Sequence, residues 1–229
     1  MAYLVSSFAY LIFVSHQPVQ ILSYLIHDDA MFWSHGFNIL SGNWLGEYSQ
    51  MTLPKGVGFP LVLAFGAAAS LPVPVFSALI LIGSLAMLLR ALRLVSVPEV
   101  VLFAVFVLTL SQSTLVMVRP LRDNLYASLT IALVAIAIGL LGRQNSRTTV
   151  SNVVLGLIVG LFVLTREESP WVLPGFAVIL FGVFLLGRSL EARPISLIKQ
   201  IATIAVGALL TQVLVMGLNL ANYGTATTQ

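Results

Sequence analysis

Long apolar runs alternate with short polar breaks along the whole chain. Six of them approach the length of a membrane helix: Val75 to Leu92, Val100 to Val118, Leu125 to Leu141, Val150 to Leu164, Trp171 to Gly187 and Ile198 to Leu220. A span needs roughly 20 mostly apolar residues, so each run predicts a tilted transmembrane helix. An earlier run, Tyr3 to Val14, is shorter, and becomes a span over residues 3–26 if its helix continues through His16-Gln17-Pro18 with a proline kink. It has no basic leader and no clear small-residue cleavage site, so it reads as a retained helix and not as a removed signal. The expected fold is an all-α integral membrane protein, a single transmembrane domain over residues 1–229 with about seven transmembrane helices.

The connection between the first and second spans, residues 27–73, is the longest and has a pattern of its own. Ala30, Trp33, Phe37 and Leu40 recur at helical spacing and predict an amphipathic helix that stops at Gly42. Such a helix lies in the membrane interface, with Trp33 and Trp44 at headgroup depth. Pro54-Lys55-Gly56-Val57-Gly58-Phe59-Pro60 then breaks the chain, and Leu61 to Leu71 is too short to cross, so it is expected to be re-entrant or interfacial.

Composition supports the membrane reading and charge orients it. With 59% hydrophobic and 8% charged residues and a mean hydropathy of +1.02, the chain lacks the polar surface of a soluble domain. Its net charge of +3 does not signal nucleic-acid binding. The cations Arg90, Arg93, Arg143, Arg147, Arg188, Arg193 and Lys199 instead mark the breaks after the second, fourth and sixth spans as cytoplasmic. The other breaks then face outward, together with Asp28, Asp29, Glu47, Asp123, Glu167 and Glu168, six of the eight acids. The absence of cysteine excludes disulfides, thiolate metal sites and cysteine nucleophiles.

Three charged clusters therefore share the outer side: His27-Asp28-Asp29, Arg119-Pro120-Leu121-Arg122-Asp123 and Arg166-Glu167-Glu168. Neighbouring residues on a helix point about 100° apart, so Asp28 and Asp29 cannot do the same job. One can cap the interfacial helix, leaving the other as a general base or a metal ligand. Arg119 and Arg122 can grip a phosphate with their planar forks or snorkel to lipid headgroups, and Asp123 can neutralise either. Glu168 suits the start of the helix that follows Pro170, a term that does not account for Arg166. Lys55, in a bend with Gly56 and Gly58, is a candidate phosphate contact, although no phosphate-loop motif is present.

His27-Asp28-Asp29-Ala30-Met31-Phe32, Ser41-Gly42-Asn43-Trp44-Leu45-Gly46, Thr52-Leu53-Pro54-Lys55-Gly56 and Gly58-Phe59-Pro60 together resemble the first outer loop of GT-C type membrane glycosyltransferases. That group includes protein O-mannosyltransferases and the aminoarabinose transferases of lipid A. Arg122-Asp123-Asn124-Leu125-Tyr126-Ala127-Ser128-Leu129 and Thr165-Arg166-Glu167-Glu168 are similar to outer segments of its bacterial members. The resemblance implies a bacterial inner-membrane enzyme, active on its outward face, that takes a sugar from a polyprenyl phosphate or diphosphate carrier. It implies Asp28 or Asp29 as the base. Lys55, Arg119, Arg122 and Arg166 would then act on the lipid phosphate or beside it, with Asp123, Glu167 and Glu168 on sugar hydroxyls or orienting the arginines. A divalent cation could bridge phosphate and carboxylate. Members are generally longer, often with an extracytoplasmic C-terminal domain.

Two other classes compete. A transporter or lipid-handling protein would line a path with the same charges, but favours breaks and charges at mid-membrane rather than at one rim. A non-catalytic subunit or fragment would keep the fold without the chemistry. The orientation is testable: a cysteine introduced near Asn145 should react only with reagents on the cytoplasmic side, and one near Ser49 only from outside. The reverse labelling would dismantle the shared rim.

Overall fold

The computed structural model describes residues 1–19, 28–113, 121–141, 149–169, 174, 175, 178, 181 and 194–228. Among them there are eight helices and no strand: α1 (Ala2–Ser15), α2 (Asp28–Leu40), α3 (Gly58–Ala68), α4 (Val73–Leu94), α5 (Glu99–Ser113), α6 (Arg122–Leu141), α7 (Thr149–Val163) and α8 (Pro194–Tyr223). Three stretches are long and apolar enough to cross a membrane, Val73–Leu94, Arg122–Leu140 and Ile198–Tyr223. α1, α5 and α7 are equally apolar and are described over 14, 15 and 15 residues; α5 and α7 each border residues outside the described ones, whereas α1, about 21 Å at 1.5 Å per residue, is short of the ~30 Å hydrocarbon core. Of the seven expected spans, three are therefore represented by a helix of spanning length. α1 ends at Ser15 instead of running on through the His16-Gln17-Pro18 kink; residues 20–26 of that same expected span, residues 114–118 of the third and most of 171–187 lie outside the described residues.

The helices pack by apolar stripes. Ala78, Leu81, Leu85 and Leu89, spaced three and four apart on α4, meet Tyr10 and Val14 of α1 and Leu102, Phe106 and Leu110 of α5. Tyr3 stands edge-on to Phe103 and Phe106, with the Arg93 guanidinium 5.5 Å above its ring. Arg93 also donates two hydrogen bonds to Glu99, at 3.2 and 2.7 Å, and so closes the turn between α4 and α5. A second cluster joins Phe32 of α2, Phe59 and Leu63 of α3, Leu125, Leu129 and Leu133 of α6, Phe162 of α7 and Ile204 of α8. Outside these clusters the bundle exposes aliphatic faces, among them Leu209, Leu210, Val213 and Leu214 of α8. Such a surface is consistent with a bilayer around the bundle.

α2 and α3 form a packed pair beside the spanning helices. Phe32 and Gly36 of α2 face α3, where a Cβ on Gly36 would sit 3.0 Å from that of Leu63. The stripe of Trp33, Phe37 and Leu40 is exposed, as an interfacial helix requires. α2 stops at Leu40 ahead of Gly42, whose φ of +81° is the left-handed conformation that ends helices. Trp44 is packed against protein. Its ring is buried and its Nε1–H donates to Asn219 Oδ1 of α8 at 2.7 Å, because a buried indole needs an acceptor.

α7 crosses α8 at close range through small residues. A Cβ on Gly156 would collide with the Ile204 carbonyl and Gly207, and one on Gly160 with Thr211, while Gln212 Nε2 donates to the Gly160 carbonyl at 3.1 Å. Gly217 of α8 faces open space. Gly156→Leu is expected to cost about 2 kcal/mol or more by forcing this crossing apart. Gly217→Ala should leave stability unchanged or raise it by up to about 1 kcal/mol. Thermal unfolding in detergent compares the two, and equal losses would show that the crossing is not tight.

Candidate functional site

The charged residues gather because a loop docks on the end of α7. α7 stops at Val163, and the Leu164 carbonyl accepts from the Gly58 amide at 2.7 Å. A Cβ on Gly56 would overlap that same carbonyl, and one on Gly58 would meet Thr165 Oγ1 at 2.8 Å. Both glycines are there for backbone-to-backbone approach. The turn after α7 is built from satisfied buried hydroxyls: Thr165 Oγ1 donates to the Leu161 carbonyl at 2.7 Å and Ser169 Oγ to the Phe162 carbonyl at 3.0 Å. Arg166, Glu167 and Glu168 project from this turn. Upstream, Thr52 Oγ1 donates to the Glu47 carbonyl and accepts from the Ser49 amide, bracing the loop. The Tyr223 hydroxyl donates to the Gly46 carbonyl at 2.9 Å and, with Trp44 on Asn219, ties the loop to the end of α8.

Four segments thereby contribute to one rim: the start of α2, the 54–58 turn, the start of α6 and the turn after α7. Lys55 Nζ lies 3.3 Å from Asp28 and 3.9 Å from Glu167, and Glu167 accepts from Arg122 Nη1 at 2.6 Å. Arg166 donates to Asp123 at 3.0 Å and to Glu168 at 3.2 Å. The two arginines rest on aromatic rings, Arg122 5.8 Å above Phe32 and Arg166 5.2 Å above Tyr126, which itself stacks on Phe162. At the far end of α5, about 22 Å away along its axis, stands the Arg93–Glu99 pair.

Burial separates the members of the rim. The Arg122 side chain is only 9% exposed, whereas those of Lys55 and Arg166 are about a third exposed, at 30% and 31%. Asp29 is wholly buried and its Oδ1 accepts from the Ala30 amide at 3.1 Å; Asp28 is the accessible carboxylate, 39% exposed. The first turn of α2 thus divides the two aspartates as helical geometry requires. Asp123 pairs with Arg166 and not with Arg122, its neighbour in sequence. The 100° between successive residues of α6 turns Arg122 into the protein and Asp123 outward. Backbone hydrogen bonding, then Arg166, holds the Glu168 carboxyl below its ordinary value of 4.5. The stabilisation from Glu168 is therefore complete above the ordinary carboxylate range and lost as pH falls through the lowered value. Its exposure keeps that contribution small.

Every candidate residue except Arg119 is found in or beside this rim; Arg119 and His27 lie outside the described residues. Among the described residues no three His, Asp or Glu converge to hold a metal ion. Two concave features adjoin the rim. An apolar groove of about 250 Å³ runs between α2 and α3, along Trp33, Phe37 and Leu40. A cavity of about 340 Å³, with walls that are apolar over most of their area and carry several polar side chains, opens beside Asp123 between α4, α5 and α6. The second was missed in the sequence, yet Asn124, Ala127, Ser128 and Ile131, like Thr109, Gln112 and Ser113, follow helical three-and-four spacing and carry its signature. No family model matches the chain, and no curated protein or solved structure matches it either.

Removal of Arg122 leaves Glu167 with Lys55 alone and empties the space over Phe32. Arg122→Ala is expected to destabilise by about 2 to 3 kcal/mol, within the lower range for breaking a buried pair. Lys55→Ala and Arg166→Ala should cost about 1 kcal/mol or less, being more exposed. Unfolding midpoints of the three variants in one detergent give the order; an Arg122→Ala loss no larger than the others would contradict its place as the hub.

Proposed function

We propose that this protein is a membrane glycosyltransferase that moves a sugar from a polyprenyl phosphate or diphosphate carrier to an acceptor hydroxyl. In this reading the chain crosses a bacterial inner membrane about seven times, with the rim on the outward face. The observation that carries it is the pairing of one accessible carboxylate, Asp28, with Lys55 at a rim that also presents Arg166. The resemblance of the 27–60 segment to GT-C enzymes points the same way.

The chemistry assigned to the rim is simple. An Asp28 oxygen takes the proton of the acceptor hydroxyl as that oxygen bonds to the anomeric carbon. The bond from the anomeric carbon to the phosphate oxygen breaks, and the lipid phosphate leaves with the electron pair. Lys55 and Arg166 are exposed enough to stabilise that charge, whereas Arg122 is committed to Glu167 and organises the site from within. Asp28 is preferred to Asp29 as the base because Asp29 is sealed from any acceptor. The groove along the exposed face of α2 suits the apolar chain of a donor that arrives through the bilayer.

A structural clamp is the second reading, favoured by the fact that Lys55, Arg122 and Arg166 already have carboxylate partners. Proteoliposomes supplied with labelled polyprenyl-linked sugars distinguish the two. Asp28→Asn should lower turnover by about 10² to 10⁴ while donor binding persists. Asp29→Asn should act chiefly on stability. Undiminished turnover in Asp28→Asn would remove the base, and no turnover by the unmodified protein with any donor would leave the clamp.

A further inference from the structure

We infer that the cavity between α4, α5 and α6 is a binding site for one neutral sugar ring. This rests on the glycosyl-transfer reading for its biological sense, but the cavity's own chemistry selects the ligand. Its volume, about 340 Å³, is at the small end of the ~300–1,000 Å³ typical of ligand sites. That is room for one ring.

The lining is of two kinds. Hydroxyls and amides of Thr109, Gln112, Ser113, Asn124 and Ser128 face it from α5 and α6, over an apolar floor of Leu81 and Ile131. The hydroxyl protons are already committed: Thr109 donates to the Val105 carbonyl at 2.8 Å, Ser113 to Thr109 at 2.9 Å and Ser128 to Asn124 at 2.9 Å. Each oxygen keeps lone pairs for an incoming hydroxyl. Gln112, exposed at the cavity, has no side-chain hydrogen bond among the described residues. An amide so placed near lipid is costly unless water or a ligand meets it. The single charge in the lining, Asp123, is neutralised by Arg166 at 3.0 Å. The cavity therefore favours neither a phosphate nor a free cation. Many hydroxyl acceptors, one amide and an apolar floor match the hydroxylated edge and C–H face of a sugar. Asp123 belongs to both the cavity and the rim, so a ring bound here borders the charged groups.

The test is saturation-transfer NMR of methyl glycosides, methyl α-D-mannopyranoside and methyl β-L-arabinopyranoside among them, on the full chain in lipid nanodiscs. Transfer to ring protons is expected for the unmodified protein. Ala127→Leu, at an exposed position that faces the cavity and lies outside the apolar core, should fill the cavity and abolish it. Gln112→Leu, which preserves bulk, should weaken binding about tenfold, the effect of one lost hydrogen bond. Displacement by a polyprenyl-phosphate-linked sugar, and not by bare polyprenyl phosphate, identifies the ring as the donor's; a glycoside that neither displaces identifies it as the acceptor's. Asp28→Asn should bind the glycosides unchanged, so binding is read independently of turnover and survives a failure of the transferase reading. No transfer in the unmodified protein, or equal transfer in it and both cavity variants, overturns the assignment.

Discussion

The contact between the 54–58 turn and the end of α7 is the constraint on which the rim depends. It is an approach of backbone to backbone, with the Gly58 amide on the Leu164 carbonyl and Gly56 against the same atom. Neither position tolerates a Cβ, so the loop sequence is dictated by proximity and not by a ligand. Once the two backbones meet, Lys55 is delivered beside Glu167, and Glu167 in turn holds Arg122 at the head of α6. Two residues without side chains thus organise the ion pairs of three others.

Charge in the rim is graded from inside to outside. Arg122 is sandwiched between Phe32 and Glu167 and links α2, α6 and the turn after α7, so its energy goes into assembling those segments. Lys55 and Arg166 are more exposed, where ion pairs contribute little to stability and can exchange a carboxylate for another anion at small cost. The same grading applies to the acids: Asp29 is interior and Asp28 exterior, one residue apart on the first turn of a helix. A site that must hold its shape while swapping partners needs both kinds of group.

The helices were legible from apolar spacing alone, as was the apolar stripe of α2, because Trp33, Phe37 and Leu40 mark one face of a 3.6-residue period and are exposed. Helix length was less legible. The first expected span runs on to residue 26, yet α1 ends at Ser15, since hydropathy reports composition and not where hydrogen bonding stops. Membership of the rim could be read from helix ends and loop charge. Pairing could not: Asp123 meets Arg166, 43 residues away, and Trp44 meets Asn219, 175 residues away, and nothing local to either encodes its partner. The role of Gly56 and Gly58 was illegible for the same reason, because what they approach lies more than a hundred residues further along the chain.

The two concave features divide what a lipid-linked sugar consists of. An isoprenoid chain is apolar throughout, a phosphate carries all the charge, and a sugar is neutral and rich in hydroxyls. The groove along α2 offers only apolar walls, the rim offers cations partly released to solvent, and the cavity at α4, α5 and α6 offers hydroxyl acceptors and an amide around a neutralised carboxylate. Each environment would bind the other two parts poorly: charge is costly in the groove, a hydrocarbon chain leaves the amide and hydroxyl oxygens of the cavity unmet, and hydroxyls gain little at ion pairs already made. That separation of chemistry, more than the presence of any one acid, favours a substrate with three unlike parts over a simple ion or a uniform lipid.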